Sequence, residues 1–378
     1  MKAVVFSKYG GPEVLQLTDV ATPEPEPNEI LVKVLAAALN PVDWHFVRGA
    51  PFPMRMMMGG LRGPKRPRRV GVDFAGTIAS VGTGVTGFTV GQPVFGYTEA
   101  GTLAEYLTAP AHKVAPKPER LTFEQAAAVP LAGLTALQAM RDKAHVKSGD
   151  RVLIVGAAGG IGSFAVQIAR ALGAQVTGVQ STGALDLVRA IGADRVIDYT
   201  KDDFTTDDAR YDVVFDNVCN RTLSDVRRVV KPGGTVIPNG GGSPDKGISM
   251  LALLRTLAIR RFLSHKIAFF VTNPNRADLQ TLADMIQAGT ITPVIDKVYP
   301  LADAAGAMRH LEGGHAHGKI VVTIPREAKR PATTYISVSC QRPPPAARPR
   351  SWRRRSSSST SSRRRRAWPR RHLPPSHR

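Results

Sequence analysis

The sequence predicts an α/β protein in which a doubly wound Rossmann domain follows a domain rich in β-strands. Strands and helices alternate from about residue 151 to residue 238, as in a parallel sheet covered by helices. A glycine-rich turn, Gly156-Ala-Ala-Gly-Gly-Ile-Gly162, joins the first of those strands to a helix. Residues 1–120 carry short apolar runs separated by glycine and proline, which is typical of an irregular β-barrel.

The glycine turn predicts a dinucleotide site. It follows the apolar strand Val152–Val155, and behind it Phe164, Ile168 and Leu172 recur at helical spacing. The backbone N–H groups of such a turn and the positive end of the helix dipole attract an anion. Glycine is required because a Cβ would keep a pyrophosphate away from the backbone. The alternative, a glycine turn that binds no dinucleotide, fits this βαβ context less well.

The other elements follow in order. Residues 123–140 predict a helix, an interruption at Pro130 and a second helix. After the glycine turn we expect strands at 175–179, 195–199, 211–216 and 235–238, with helices at 185–191 and 222–230. Pro232-Gly-Gly234 predicts a turn before the last of these strands. A helix at 277–289 comes before a final strand at 319–324, which is expected to return to the first domain.

Length and composition narrow the class of protein. The chain has 378 residues, enough for two domains with separate cores. Its two cysteines, Cys219 and Cys340, cannot form a disulfide framework or a four-thiolate zinc site. No apolar run reaches the length of a membrane span, and residues 1–20 lack the pattern of a signal peptide. We therefore expect a cytoplasmic protein that does not associate with membranes.

The positive charge is concentrated at one end. The formal net charge is +21, but residues 326–378 hold 16 Lys/Arg and one acid, Glu327, so the remaining 325 residues are only mildly basic. This segment has too few aliphatic residues to offset its ordering entropy, and we predict a disordered basic tail. Two interpretations of the tail stay open. It is either a polycationic arm for nucleic acid or acidic surfaces, or an unselected extension resembling a GC-rich frame read out of register.

Several motifs in residues 1–325 together resemble a known family. They are Tyr9-Gly-Gly-Pro-Glu-Val-Leu15, Asn40-Pro-Val-Asp-Trp44, Gly71-Val-Asp-Phe-Ala-Gly76, the glycine turn, Ala193-Asp-Arg-Val-Ile-Asp-Tyr199 and Gly318-Lys-Ile-Val-Val322. This set resembles the medium-chain dehydrogenase/reductase superfamily, in its zinc-free quinone oxidoreductase (zeta-crystallin-like) branch. The resemblance implies a GroES-like β-barrel catalytic domain at residues 1–123 and 268–325. It places a Rossmann NADP-binding domain at residues 124–267.

The same comparison argues against a catalytic zinc. Zinc-dependent relatives carry a ligand cysteine after the third amino-terminal strand and a Gly-His-Glu motif further along. Here these places read Asn40-Pro-Val-Asp43 and Gly71-Val72-Asp73. A catalytic zinc needs about three protein ligands with imidazole or thiolate among them. We therefore expect no metal.

Cofactor choice can be argued from the end of the second Rossmann strand. NAD selectivity usually rests on an acid about 20 residues beyond the glycines, which bonds the ribose hydroxyls. That stretch reads Gln180-Ser-Thr-Gly-Ala184, with no acid before Asp186. Ser181 and Thr182 can donate to a 2′-phosphate, so NADPH is favoured over NADH, although the same pair also suits a helix N-cap. Similar proteins often have arginine or lysine after the pair, where this chain has Gly183.

The resemblance also assigns site residues. Gly159, Gly160 and Ile161 would lie along the pyrophosphate, in a turn whose Gly156, Ala158 and Gly162 are also predicted to bind the cofactor. Tyr199 would pack beside the adenosine ribose phosphate, unless it is an ordinary strand-end aromatic. Asn217 would lie near the adenine ribose, and Thr135 would face the nicotinamide.

We expect hydride transfer from NADPH to a small hydrophobic quinone, enone or aldehyde. No acid–base residue is evident; Asn40 and Asp43 are the candidates for polar groups in the pocket, and Asp43 could equally be a turn-forming carboxylate beside Pro41. Relatives imply a homodimer. Two rival hypotheses are a nucleic-acid-binding protein that uses the Arg-rich tail non-specifically, and a dinucleotide-binding relative without enzymatic activity. Deleting residues 326–378 would abolish association in the first case and leave turnover unchanged in the enzyme.

Overall fold

Two large sheets organise the protein in a computed structural model, which describes residues 1–240 and 265–325. The described residues belong to one compact unit, Met1–Glu327. The predicted basic tail, residues 326–378, lies outside the described residues, as does the segment 241–264.

The first large sheet is the barrel. It contains β3 (Glu29–Leu39), β5 (Asp73–Val81), β6 (Pro93–Tyr97), β7 (Tyr106–Pro110), β8 (Val114–Pro116), β15 (Ile295–Pro300) and β16 (Lys319–Thr323). In the described residues the order is β15-β16-β3-β5-β6-β8, with β7 paired to β3. A smaller sheet beside it is formed by β1 (Lys2–Phe6), β2 (Gln16–Asp19) and β4 (Arg68–Arg69).

The longest strand, β3, changes character along its length. Its first half alternates between half-buried and buried side chains, as expected for a strand with one face in a core. Its last residues, Ala36–Leu39, are all buried. The predicted return of the chain to the first domain is confirmed here, because β16 runs antiparallel to β3 with Ile320 opposite Leu39.

The second large sheet is parallel throughout the described residues. Its strands are β9 (Arg151–Val155), β10 (Gln175–Gln180), β11 (Arg195–Asp198), β12 (Tyr211–Asp216), β13 (Val230–Pro238) and β14 (Lys266–Ile267). The order is β11-β10-β9-β12-β13-β14, so the chain reverses its winding direction on either side of β9. In open α/β sheets a ligand binds at the carboxyl ends of the strands that flank such a switch point. The α/β class and the two-domain architecture are confirmed.

The described helices are α1 (Pro41–Arg48), α2 (Phe52–Met57), α3 (Phe123–Ala127), α4 (Pro130–Gln138), α5 (Gly160–Ala171), α6 (Leu185–Ala190), α7 (Leu223–Arg227), α8 (Arg276–Gln287) and α9 (Ala304–Glu312). The interruption predicted at Pro130 is present, and this residue begins α4, where a missing N–H costs nothing. No described helix is long and apolar enough to cross a membrane.

One local prediction was wrong. Pro232-Gly-Gly234 lies within β13 rather than in a turn before it, and the pairing of β12 with β13 shifts register between Tyr211 and Val213. The positive φ of 78° at Gly233 accommodates this irregularity. Of the two readings of Asp43, the local structural one is present, because its carboxylate accepts the N–H of Asn40, the N-cap residue of α1.

Candidate functional site

The glycine turn lies at the carboxyl end of β9, at the switch point. Gly156 has a φ of 75°, and its N–H donates to the Val179 carbonyl at 3.0 Å. A Cβ on Gly156 would stand 3.0 Å from Val218 Cγ2, and one on Gly162 would overlap the Gly156 carbonyl oxygen. The turn therefore has no room for a side chain at Gly162, and at Gly156 the positive φ disfavours one. This tight backbone is what the close approach of a pyrophosphate requires.

The first turn of α5 completes the anion site. Gly159 is the N-cap in extended conformation, and Gly160, Ile161 and Gly162 form the first turn, whose N–H groups have no acceptor within the helix. The N–H of Ala158 is already used, because it donates to the Gln180 side-chain oxygen at 3.3 Å. The residues present thus fit a dinucleotide, with the helix amides rather than Ala158 facing the phosphates.

Ser181 and Tyr199 lie on one side of the turn, at the carboxyl ends of β10 and β11. The two strands are paired with Gln180 opposite Asp198, and the Tyr199 N–H donates to the Gln180 carbonyl at 3.2 Å. Tyr199 is 44% exposed. The Ser181 side chain makes no capping hydrogen bond, so its hydroxyl is available to a ligand. The structure therefore brings together the two residues predicted to bind the adenosine phosphate.

The structure also brings an acid to the carboxyl ends of β10 and β11, although none is present in the sequence just after β10. Asp198 ends β11, and its carboxylate accepts hydrogen bonds from the Thr182 hydroxyl at 2.5 Å and the Thr200 hydroxyl at 2.7 Å. These hydroxyls, Thr182 first, lower the pKa of Asp198 to about 2. The Lys201 ammonium lies 3.6 Å from the same carboxylate. The parallel pairing of β11 with β10, which sets Asp198 opposite Gln180, is the signal that would have found this acid. Its distance from the glycine turn in sequence would not.

Asn217 lies on the other side of the turn, after β12. Its side-chain nitrogen donates to the Val155 carbonyl at 3.2 Å, and its oxygen accepts from Asn239 at 2.9 Å. Both ends of the amide therefore tie neighbouring strands together beside Gly156. The predicted contact of Asn217 with the adenine ribose stays a prediction, since β9 lies between β12, which Asn217 follows, and the paired strands β10 and β11.

Cys219 lies two residues after Asn217, beyond the end of β12, and adopts a φ of 57°. Its thiol donates to the Asp216 carbonyl oxygen, and the Gly240 N–H lies 3.2 Å from the sulfur. Desolvation, reinforced by the Asp216 carboxylate, raises the pKa of Cys219 to about 11. The thiol is therefore protonated at neutral pH, which argues against a reactive thiolate.

Thr135 lies on α4 and is buried. Its hydroxyl donates to the Leu131 carbonyl at 2.7 Å and lies 2.7 Å from the Thr272 hydroxyl. This hydroxyl is thus engaged with α4 and the segment after β14. Its predicted contact with the nicotinamide stays a prediction.

Asn40 belongs to a buried polar cluster where the barrel strands meet helices α4 and α5. Its amide nitrogen donates to Asp73 Oδ2 at 2.8 Å, and its oxygen accepts from the Lys319 ammonium at 2.5 Å. Lys319 also donates to the Leu39 carbonyl at 3.0 Å and lies 3.4 Å from Asp73 Oδ2. The other Asp73 oxygen accepts the Leu131 N–H, at the start of α4. We name Asn40, Asp73 and Lys319 the junction cluster.

The junction cluster reaches the glycine turn through a hydrocarbon chain. A Cβ on Gly160 would stand 2.9 Å from Lys319 Cδ. All three hydrogens of the Lys319 ammonium have acceptors inside the cluster, so this cation supports the turn by packing, not by donating to a ligand. Burial lowers the pKa of Lys319 and raises that of Asp73, while their mutual attraction opposes both shifts. The sequence analysis gave neither Lys319 nor Asp73 a role. The available signal was a lysine as the first residue of the otherwise mostly apolar strand β16.

Asp43 is buried beside the cluster. One of its oxygens accepts the Asn40 N–H at 2.7 Å, and the other, Oδ1, has no hydrogen-bond partner. Burial, reinforced by the negative charge of Asp73, raises the pKa of Asp43 to about 7. Asp43 also lines a cavity of about 10 Å³, which is the size of one water molecule. Capping of α1 and a protonatable carboxyl are therefore combined in one side chain.

Metal ligands do not cluster in the part of the chain that the structure describes. No three His, Cys, Asp or Glu side chains among residues 1–240 and 265–325 could together hold a metal ion. Asn40, Val72 and Asp73, at the places where zinc-dependent relatives carry ligands, are used in packing or in the junction cluster.

Fold and site together define a two-domain dinucleotide-binding protein, with a glycine turn at a sheet switch point and a barrel beside it. Residues 26–119 match the family described as alcohol dehydrogenase GroES-like domain, and residues 191–322 match zinc-binding dehydrogenase.

Similar proteins cover both domains. The chain is 34% identical over 336 residues to a 2-methylene-furan-3-one reductase of Solanum lycopersicum, covering 85% of this chain and 79% of that protein. It is 33% identical to a chloroplastic NADPH-dependent alkenal/one oxidoreductase of Arabidopsis thaliana, with the same coverage of 85% and 79%.

A solved structure, Escherichia coli quinone oxidoreductase complexed with NADPH, aligns with a TM-score of 0.74 at 27% identity, over 85% of this chain and 100% of that one. The chain belongs to the medium-chain dehydrogenase/reductase superfamily, in its quinone oxidoreductase branch. It is a member of a family of NAD(P)-dependent oxidoreductases.

Proposed function

We propose that the chain is a zinc-independent reductase that uses NADPH to reduce a small hydrophobic quinone, enone or aldehyde. The glycine turn carries the proposal, since its backbone has no room for a side chain at Gly162, disfavours one at Gly156 and presents helix amides to an anion. The preference for NADPH is supported by the free Ser181 hydroxyl and by relatives and structures whose names include this cofactor.

Within the substrate class we favour conjugated carbonyls. A 2-methylene-furan-3-one, an alkenal and a quinone each carry a carbon–carbon double bond conjugated to a carbonyl, and relatives are named for all three. NADPH supplies the hydride when it is bound. Addition of hydride to such a substrate leaves negative charge on oxygen, which the protein must stabilise or protonate.

The described residues divide these tasks. Asn40 is a positioning residue in this proposal, because both ends of its amide are engaged in the junction cluster. Asp43 is the remaining candidate for a proton-carrying group, since Oδ1 is unpartnered and the pKa lies at about 7. The junction cluster holds the barrel strand β16 against Gly160 and so fixes the distance between barrel and glycine turn.

A binding titration followed by turnover tests the proposal. Nicotinamide fluorescence is recorded with the full chain and either NADPH or NADH, and NADPH oxidation is then followed with an enone, a quinone and a saturated aldehyde. We expect tighter NADPH binding, and faster oxidation with the two conjugated substrates. If neither dinucleotide binds, the proposal fails; if NADPH binds without turnover on any substrate, a non-enzymatic dinucleotide-binding protein replaces it.

The predicted compartment and oligomeric state belong to the proposal. We keep a cytoplasmic location, which rests on the low cysteine content, and the homodimer that family resemblance implies. Sedimentation equilibrium of the full chain measures the second, and a single species at the monomer mass of 40.6 kDa would contradict it.

A further inference from the structure

We propose that Lys201 binds the 2′-phosphate of NADPH and replaces the cation that this chain lacks at position 183. This inference rests on the proposed function and assigns its cofactor selectivity to a residue from β11 instead of the loop after β10. It begins with an opening in the structure. A Cβ on Gly183 would meet no atom within 4 Å, so a side chain at this position would begin in open space.

Lys201 reaches the same edge from the neighbouring strand. Gln180 and Asp198 are register partners, so the residues that follow β10 and those that follow β11 leave the sheet side by side. Two hydrogen-bonded contacts join them: the Thr182 hydroxyl lies 3.1 Å from that of Thr200, and it donates to Asp198. Lys201 and Ser181, 20 positions apart in sequence, are therefore each adjacent in the chain to one of the two threonines in this contact.

The ammonium of Lys201 is free to take another partner. Its side chain is 67% exposed, and the contact to Asp198 is 3.6 Å long, beyond hydrogen-bond distance. Of its three donors, at least two therefore face solvent. Two acids follow Lys201. Asp202 is exposed and its N–H donates to the Asp198 carbonyl at 2.9 Å. The Asp203 carboxylate accepts the N–H and hydroxyl of Thr205 and pairs with Arg221.

Asp198 does not prevent this binding, because its charge is already directed into the protein. Its side chain is 7% exposed, and its two oxygens accept from Thr182 and from the N–H and hydroxyl of Thr200. These contacts orient the two segments. The groups that remain for a ligand at this edge are then the Ser181 hydroxyl, the Tyr199 ring and the Lys201 ammonium. That combination suits a phosphate on a ribose beside an adenine.

The test compares Lys201→Ala with Lys147→Ala. The second variant removes the same charge from the exposed loop before β9, at the amino-terminal ends of the parallel strands. Dissociation constants are measured on the full chain for NADPH and NADH, and for the fragments 2′,5′-ADP and 5′-ADP. We expect Lys201→Ala to weaken NADPH and 2′,5′-ADP by roughly three- to tenfold, as for a partly exposed charge pair, and to leave NADH and 5′-ADP unchanged. Lys147→Ala should change none of the four.

Two further results sharpen the test. Gly183→Arg in the Lys201→Ala background should restore NADPH affinity, because the space is open and the φ of Gly183 is unstrained. Raising ionic strength should reduce the NADPH preference of the parent and have little effect in Lys201→Ala.

Unchanged NADPH affinity in Lys201→Ala, in a chain whose parent binds NADPH tightly, overturns the inference and leaves the proposed function intact. A parent that prefers NADH, and loses that preference in Asp198→Asn, overturns it as well and assigns selectivity to the carboxylate. A parent that binds neither dinucleotide removes the proposed function itself, and this is known before any variant is made.

Discussion

Two carboxylates at the two ends of the candidate site are both almost fully buried, yet their pKa values move in opposite directions. Asp198, at the cofactor edge, has its pKa lowered to about 2, whereas that of Asp43, beside the junction cluster, is raised to about 7. Two causes separate them. At Asp43 desolvation is the largest cause, reinforced by the negative charge of Asp73, and the Asn40 N–H does not offset it. At Asp198 the hydroxyls of Thr182 and Thr200 outweigh desolvation. The balance between desolvation and hydrogen bonding decides which carboxylate carries charge.

The comparison extends to the lysines. Lys319, in the junction cluster, is 3% exposed, and its ammonium donates only to protein atoms. Lys201, near the carboxyl ends of β10 and β11, is 67% exposed, and its ammonium has one contact, 3.6 Å from Asp198. The charge of Lys319 is therefore used inside the barrel, where its partner Asp73 also accepts the Leu131 N–H of α4, and the charge of Lys201 is available to a ligand. The predictions below test this division of roles.

The largest effect is expected from Lys319→Met. It removes the cation from the junction cluster and leaves Asp73 buried without its partner, which costs about 3–5 kcal/mol of unfolding free energy. Chemical denaturation measures it. The double variant Lys319→Met/Asp73→Asn should lose less than the single one, because no uncompensated charge remains; an equal or larger loss would contradict an ion-pair role.

Gly162→Ala should come next. The added Cβ overlaps the Gly156 carbonyl oxygen, so the turn must shift, and we expect a loss of about 1–3 kcal/mol together with weaker binding of both dinucleotides. Gly183→Ala is the matched control, since its Cβ meets nothing and its φ is unstrained. Equal behaviour of the two variants would show that the turn tolerates a side chain.

Asp43→Asn should change how stability depends on pH. The pKa of Asp43 is about 7 in the folded protein against an ordinary 3.8, so the wild type binds more protons folded than unfolded and loses stability as pH rises from about 4 to 7. Asparagine stays neutral and can still accept the Asn40 N–H. Between about pH 4 and 7 the variant should therefore lose less unfolding free energy than wild type, by roughly 1 kcal/mol or more. Thermal unfolding at pH 4 and pH 8 measures this; parallel curves would show that Asp43 is ionised throughout.

Thr182→Val should have the smallest effect. It removes the first donor to Asp198, so the pKa of that carboxyl should rise toward 3.8, as seen in a carboxyl-carbon NMR titration. A lowered pKa stabilises the fold above about 4 and loses this effect as pH falls toward 2, so the variant should differ from wild type near neutral pH and converge with it in acid. Thr281→Val, on the exposed face of α8, is the control. An unmoved Asp198 resonance would assign the shift to Thr200.

Sequence by itself determined the features that depend on local spacing. The glycine turn, the alternation of strand and helix and the break at Pro130 were predicted because neighbouring residues alone decide a tight turn, an apolar period or a missing N–H. The resemblance of residues 1–325 to the quinone oxidoreductase branch was confirmed by relatives that align with 85% or more of the chain. The turn predicted at Pro232 failed because a bulge in a paired strand depends on the partner strand.

Only the tertiary structure decided where the charges act. Lys319 meets Asn40 across 279 positions because β16 returns to lie beside β3, and Asp198 meets Thr182 because β11 pairs with β10. Whether a lysine ammonium bonds within the protein or can bind a ligand depends on its exposure and on the acceptors within about 3 Å of it. Strand pairing sets both quantities, and no local pattern in the sequence encodes the partner strand.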